Sequence, residues 1–480
     1  MTRKFNSVTR RKFLSTTGKI SAGVLAAGML SSCQETAIST YAPKIIGAND
    51  RINVGVVGIR SRGWNLAQNI MNIENVHLKA ICDVDGNVLS GRVKDIEKAK
   101  NYKPDAYSDM RKMFDDPDIY AVVFATPNHW HALCAIWACQ AGKHVYVEKP
   151  CCHNVWEGRK MVEASRKYNR LVQVGLQNRS IENVQNAMEF LHDGVIGDVY
   201  MARGLCYKPR GPLGIVKDGV GTGKDYDYFV FNRPGKQYPQ DYIDKVNYEM
   251  WTGPADLKPF NYNRFHYNWH WNWNYGSGDI GNQGPHQMDI ARWGLGKDEH
   301  PVKISSYGGY YGKASDQQTP NTQTADIEYA DGKQIVFEVR GLPTNAEDQI
   351  KIGNIFLGTE GYMHIDGGTW KTYLGHKNEP GPGSSTEVAA ANPMDPRGTG
   401  GFGHMSNFLS AIRSGKRSDL SCDIEKGYMS SILPLLANAA YRTDEVLEFD
   451  GKSETFKGNR KANQLIKRTG RKPYAIPASV

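Results

Sequence analysis

Gly55-Val56-Val57-Gly58-Ile59-Arg60-Ser61-Arg62-Gly63 follows a short apolar, β-branched run and leads into a helical period. A strand-turn-helix junction of this kind aims backbone N–H groups and a helix dipole at one point, which suits a pyrophosphate. Gly58, Arg60, Ser61, Arg62 and Gly63 are the expected phosphate-side residues, with Arg60 standing where the usual G-x-G-x-x-G has its middle glycine. Asp83 ends the next apolar run, where a carboxylate hydrogen-bonds a ribose diol and repels a 2′-phosphate. The pair points to NAD rather than NADP; a Rossmann-like domain without a cofactor is the competing reading.

Two further segments end apolar runs on the same side: Thr126-Pro127-Asn128-His129-Trp130-His131 and Glu148-Lys149-Pro150. Thr126, Asn128, His131, Glu148, Lys149 and Gln177 join the expected cofactor-binding set. Pro150 reads equally as a cis-proline turn or as a simple strand-ending residue. A lysine at the carboxyl end of a parallel strand, near a positively charged nicotinamide, acquires a lowered pKa and can hydrogen-bond a reacting hydroxyl. Residues 260–275 hold eight aromatic side chains with Asn and His between them. Aromatic faces with interleaved amides suit a sugar, while the bland alternative is a strand with one face packed in the core or at a subunit interface. Tyr207, Lys208 and Arg210 begin a long loop and line the same cleft if it closes there, surface solubilisation being the expectation for Lys208. No P-loop, HExxH, GxSxG or paired-cysteine metal motif occurs.

These residues need a scaffold. Apolar runs at 52–57, 77–82, 121–125, 144–147 and 171–174 alternate with helical periods at 63–72, 85–99, 130–141, 155–168 and 181–192. That order predicts an α/β fold with an N-terminal Rossmann domain on a parallel, doubly wound sheet. Asn154 with Glu157 is an expected capping box. After Asp198 the texture changes to alternating strands at 199–205, 302–308, 324–329, 334–339, 351–356 and 361–365, with helices at 402–414 and 425–442. The expectation is a C-terminal α+β domain with a large, mostly antiparallel open sheet. The expected divisions are a signal peptide at 1–32, a tether at 33–50, a Rossmann domain at 51–178, a substrate and oligomerisation domain at 179–455, and a basic arm at 456–480.

The glycine-rich turn, Asp83, TPNHWH at 126–131, EKP at 148–150 and Gly281-Asn282-Gln283-Gly284-Pro285-His286-Gln287-Met288-Asp289 together resemble the Gfo/Idh/MocA family of NAD(P)-dependent oxidoreductases over residues 51–475. The resemblance implies that Lys149 and His286 are catalytic, His286 as general acid/base and Lys149 orienting the substrate hydroxyl. Tyr207, Arg264, Trp269, Trp271, Asn282 and Asp289 are the substrate-binding candidates, and no metal is expected. The family commonly has an aspartate where this chain has Asn282, and an amide cannot act as a carboxylate base. Three functions compete: an oxidoreductase acting on a sugar, sugar alcohol or glycoside through tightly bound, recycled NAD; a glycosidase using NAD for transient C3 oxidation, with His266, His270 or a tyrosine as the extra base; and a non-catalytic sugar-binding lipoprotein.

The chain's 480 residues carry 59 Lys+Arg against 50 Asp+Glu, a formal +9. Six of the basic residues (Arg3, Lys4, Arg10, Arg11, Lys12 and Lys19) lie in 1–32 with no acid among them, leaving 53 against 50 thereafter. The excess therefore does not point to nucleic acid. Arg10-Arg11 before a short apolar run ending at Cys33 looks like a twin-arginine export signal joined to a lipoprotein signal. The expectations are a periplasm-facing protein whose only membrane contact is a lipid on Cys33. Seven other cysteines sit in largely apolar surroundings with no CxxC pair, so neither a disulfide framework nor a zinc site is expected. An open sheet in the second domain implies a homo-oligomer.

Overall fold

The computed structural model describes residues 50–219, 238–384, 399–468 and 470–480, with only backbone at 399 and 400. The export and lipid signals and most of the tether lie outside the described residues, as do residues 220–237, 385–398 and 469.

The first half is a six-stranded sheet in the order β3-β2-β1-β4-β5-β6, all parallel. Its strands are β1 (Ile52–Val57), β2 (Val76–Cys82), β3 (Asp105–Tyr107), β4 (Ala121–Phe124), β5 (His144–Val147) and β6 (Val172–Val174). Helices α1 (Ser61–Met71), α2 (Gly86–Lys100), α3 (Met110–Phe114), α4 (Asn128–Gln140) and α5 (Val155–Lys167) make the crossovers. Continuous apolar runs such as β4, buried at every position, are what a sheet covered on both faces demands. Strand order reverses between β1 and β4, and open α/β sheets bind ligands at such a switch point. β3 and α3 fall in a polar stretch that no periodicity marked. Asn154 Oδ1 accepts from Glu157 N at 2.9 Å, as expected of the cap, while Glu157 Oε2 accepts from His153 N rather than from the cap residue.

After α6 (Glu182–His192) comes a ten-stranded sheet ordered β14-β13-β12-β11-β7-β10-β9-β8-β15-β16. Its strands in chain order are β7 (Val199–Tyr207), β8 (Lys303–Gly309), β9 (Thr322–Glu328), β10 (Gln334–Arg340), β11 (Ile352–Gly358), β12 (Gly361–Asp366), β13 (Thr369–Leu374), β14 (Glu379–Gly383), β15 (Leu447–Asp450) and β16 (Thr455–Phe456). Neighbours run antiparallel except β7 and β10, which pair in parallel. The long connection between β7 and β8 carries α7 (Gln240–Ile243), α8 (Tyr248–Thr252) and α9 (Gly278–Gly294). α9 and α11 (Ile424–Thr443) pack together and against the sheet.

The expected strand over the aromatic stretch is a correction: Tyr262–Arg264 and His266–Trp271 are 3₁₀ turns. The alternating asparagines are the cause. Asn261 and Asn272 side chains accept from the N–H groups of Asn263 and Asn274, two residues on, and such local bonds favour turns over a ladder.

One helix crosses between the halves in sequence terms. α10 (Thr399–Ser414) packs Met405, Phe408, Leu409 and Ile412 into the apolar cluster formed by β1, α1 and Tyr146 of the first sheet. Nor is the C-terminal segment a free arm. Phe456, Ala462, Ile466, Tyr474 and Val480 are buried, and Glu249 accepts from Arg471 Nη1 at 2.7 Å and from Tyr474 at 2.6 Å. The seven described cysteines are free and buried. No described helix is long and apolar enough to cross a membrane.

Candidate active site

A cavity of about 470 Å³ runs from the β1–α1 turn to α9, across the switch point. At the turn Gly58 has φ +79°, and a Cβ there would lie 2.8 Å from the Ala125 carbonyl oxygen. Gly63 does not line the cavity; a Cβ there would meet the Gly58 carbonyl oxygen at 1.7 Å, so this glycine permits the helix to close on the turn. Arg60, by contrast, sits at the N-cap of α1 with φ −82°, a conformation any residue adopts. The missing middle glycine therefore leaves the turn intact. No side chain caps α1, and its first N–H groups face a cavity also lined by Gly58, Arg60, Ser61 and Arg62. Thr126 lines the same cavity. An uncapped helix end beside a glycine turn at a switch point fits a dinucleotide.

Asp83 lines the same cavity, its carboxylate held by the N–H groups of Ile59 and Asp85, each at 2.9 Å. Burial, then the charge of Asp85, pushes it up to about 6 against those two donors. Asp85 was not singled out in the sequence. It caps α2, accepts from the Tyr242 hydroxyl, and has His266 Nε2 3.0 Å away. Around it, Gly86 N donates to Lys245 O, Asn247 N to Val84 O, and Asn87 Nδ2 to Tyr242 O, at 2.8, 2.8 and 3.0 Å. Residues 242–247 thus form a strap tied across the 83–87 loop.

Of the expected cofactor set, Glu148, Arg62, Gln177 and His131 reach the cavity but spend polar atoms on one another or on backbone. Glu148 Oε1 accepts from Arg62 Nε at 2.8 Å and Gln177 Nε2 at 3.1 Å. His131 has Nδ1 2.7 Å from Pro150 O and Nε2 2.8 Å from Thr126 O, so it ties the two cofactor-side loops together. Asn128 Oδ1 accepts from Ser277 at 3.4 Å, linking this loop to the start of α9. The Lys149–Pro150 bond is cis.

At the far end, Lys149 Nζ donates to the Asn282 carbonyl at 2.5 Å and lies 3.4 Å from its Oδ1. Asn282 therefore holds the lysine, where an aspartate would have paired with it. Burial pushes Lys149 down to about 8, with Glu148 opposing. His286 lies on the cavity wall with Nδ1 buried and unpartnered; burial, then the charge of Lys149, pushes it down to about 3, so it is a neutral imidazole at pH 7. Trp269 and His270 stack at 3.6 Å beside them.

Four expected substrate residues lie elsewhere. Tyr207 occupies the outer sheet face, its hydroxyl 2.9 Å from both Glu338 and Glu347 and its ring under Arg340. Strand alternation is the reason, and the next residue, Lys208, reaches the cavity instead. Arg264 donates to Asp218 and Pro259 O on the surface. Trp271 is fully buried beneath Arg210, itself paired with Asp279. Asp289 is buried in a bidentate pair with Arg179 and accepts from Ser430 at 2.6 Å. Among the described residues no group of three or more His, Cys, Asp or Glu is arranged to hold a metal.

A parallel sheet with a glycine turn, an acid after β2 and a second mixed sheet closing the switch point defines a dinucleotide-dependent oxidoreductase architecture. The chain belongs to the Gfo/Idh/MocA oxidoreductase family: its "NAD-binding Rossmann fold" description matches residues 52–176 and its "C-terminal alpha/beta domain" description residues 211–476. The first sheet is thus an NAD-binding domain. A glycosyl hydrolase family 109 protein from Shewanella putrefaciens is 29% identical over 268 residues, a match covering 52% of this chain and 57% of that protein. Among solved structures, the WlbA dehydrogenase from Chromobacterium violaceum, in complex with NADH and UDP-GlcNAcA, is 19% identical with TM-score 0.57, covering 85% of this chain and 99% of that one. An aldose-aldose oxidoreductase from Caulobacter crescentus is 17% identical with TM-score 0.58, covering 83% and 100%. At these identities the structures speak for the fold.

Proposed function

We propose that this protein oxidises a hydroxyl of a sugar, sugar alcohol or glycoside through NAD that stays bound and is recycled. The observation that carries it is Lys149 and His286 sharing one cavity with stacked Trp269 and His270, a wall suited to carbohydrate. Bound NAD supplies the hydride acceptor. Neutral His286 takes the hydroxyl proton, and the Lys149 ammonium, oriented by Asn282, hydrogen-bonds the oxygen as negative charge develops on it. The strap over 83–87 supports retention. The test is to denature the purified native protein and assay the supernatant for nicotinamide cofactor, then incubate intact protein with sugars and aryl glycosides. Absence of cofactor together with failure to bind added NAD sinks the proposal; reduced-nicotinamide absorbance with an intact glycosidic bond supports it.

The pH profile separates the two lysine roles. Because the folded Lys149 is pushed down to about 8, its ammonium is present below that pH and lost above it. kcat/KM for hydroxyl oxidation is expected to be level below about 8 and to fall above it. A rise through the same pH makes neutral Lys149 the base instead.

A second reading, NAD-dependent glycosidase chemistry, is favoured by one observation. His270 Nδ1 lies 2.6 Å from the Tyr267 carbonyl, which fixes the proton on Nδ1 and leaves Nε2 as a proton acceptor on the cavity wall. His266 is occupied by Asp85 and Tyr242. Aglycone release without net cofactor reduction is the outcome that selects this reading, and the family 109 relative fits it.

We further propose export through the twin-arginine signal, anchoring by a lipid on Cys33, and homo-oligomerisation through the outer face of the second sheet. There Leu357, Tyr362 and Tyr373 stand in one cross-strand row.

A further inference from the structure

Behind the segment that walls the catalytic cavity lies a second one of about 200 Å³, more than a lone water needs. Trp269 and His270 face the first; Trp273, Asn274, Gly276 and Ser277 face the second. Its remaining walls come from the start of α5 (His153, Asn154), from α11 (Asn438, Arg442) and from the C-terminal segment (Gln464, Arg468).

The lining contains two guanidinium groups and no carboxylate. Arg442, in the last turn of α11, makes no hydrogen bond or ion pair with any described residue; its guanidinium stands 5.0 Å over the Trp273 ring. The carboxyl end of a helix accounts for a cation there. It does not account for the buried donor beside it. Asn154 is 2% exposed, its Oδ1 is used on Glu157 N, and its Nδ2 is buried with no partner. Arg468 gives Nη1 to the Asn274 carbonyl and turns its Nε to Glu157 Oε1 at 3.4 Å, which offsets part of its charge. A buried donor left unpaired is destabilising. One such donor beside a polar cavity, with an unpaired guanidinium at its edge, matches an occupant that accepts hydrogen bonds.

We infer that this cavity binds the carboxylate or phosphate group of a small molecule, with Arg442 as its principal charge partner and Asn154 Nδ2 as a buried donor. The occupant would sit against the back of the 272–277 segment, sharing a wall with the catalytic cavity. Sugar acids and sugar phosphates carry the required group.

The test is calorimetric titration of inorganic phosphate, glucuronate and neutral glucose into protein saturated with NAD, so that the pyrophosphate position is already filled. Saturable binding of phosphate or glucuronate but not glucose is expected, and whichever anion binds identifies the source of the charge. Arg442→Gln should weaken that binding about tenfold or more, Arg442→Lys less, both with wild-type melting temperature since Arg442 is exposed. The inference is overturned if neither anion saturates by roughly ten millimolar, if glucose binds as well as the anions, or if Arg442→Gln binds unchanged.

Discussion

Replacing His286 with alanine is expected to lower turnover by about 10²- to 10⁴-fold while cofactor content stays at the wild-type level. The separation of the two readouts follows from where the residue stands. The expected phosphate and ribose contacts are built from the β1–α1 turn and Asp83, whereas His286 lies on α9 beside Lys149 at the opposite end of the cavity. Its unpartnered Nδ1 and its displacement to about 3 make it a proton acceptor throughout the neutral range. Rapid-mix kinetics on protein purified with its nicotinamide, with that nicotinamide quantified after denaturation, measure both. Loss of cofactor from the alanine variant would mean that His286 holds the dinucleotide rather than moving a proton.

The largest stability effect is expected at Asp289. Removing its carboxylate strands the guanidinium of Arg179, which is 6% exposed and has Asp289 as a bidentate partner, and strips Ser430 of its acceptor. Breaking a buried pair from one side costs about 3–5 kcal/mol. The urea midpoint of Asp289→Ala should fall accordingly, with Asp289→Asn less affected because an amide oxygen still accepts from Ser430. If instead Asp289→Asn keeps its midpoint and loses substrate affinity, the residue belongs to the sugar site after all.

The parallel sheet was legible because each of its strands except β3 is an apolar run between turn residues, and β1 and β5 fall at the expected limits. The cofactor end was legible for the same reason: Gly58, Arg60 and Asp83 are fixed by the strands they terminate. α9 was not. Its glycines at 278, 281, 284 and 294 and an internal Pro285 argue against a helix, and packing against α11 and the sheet overrides them. The substrate wall suffered most. Strand parity sends Tyr207 and Lys208 to opposite faces, and Trp271 and Arg264 belong to a stretch whose period-two pattern is that of asparagine-capped turns. Asp85 and residues 242–247 carry no motif; only the chain's return across the nucleotide loop brings them together.

The seating of α10 on the first sheet bears on how this protein can be cut and recombined. A fragment ending near residue 178 would leave Tyr146, Ile52 and Ile70 without Phe408, Leu409 and Ile412 over them. The nucleotide-binding half cut at that point is therefore expected to lose stability, and a chimera exchanging cofactor preference with another oxidoreductase keeps that packing only if 401–420 travels with the glycine turn.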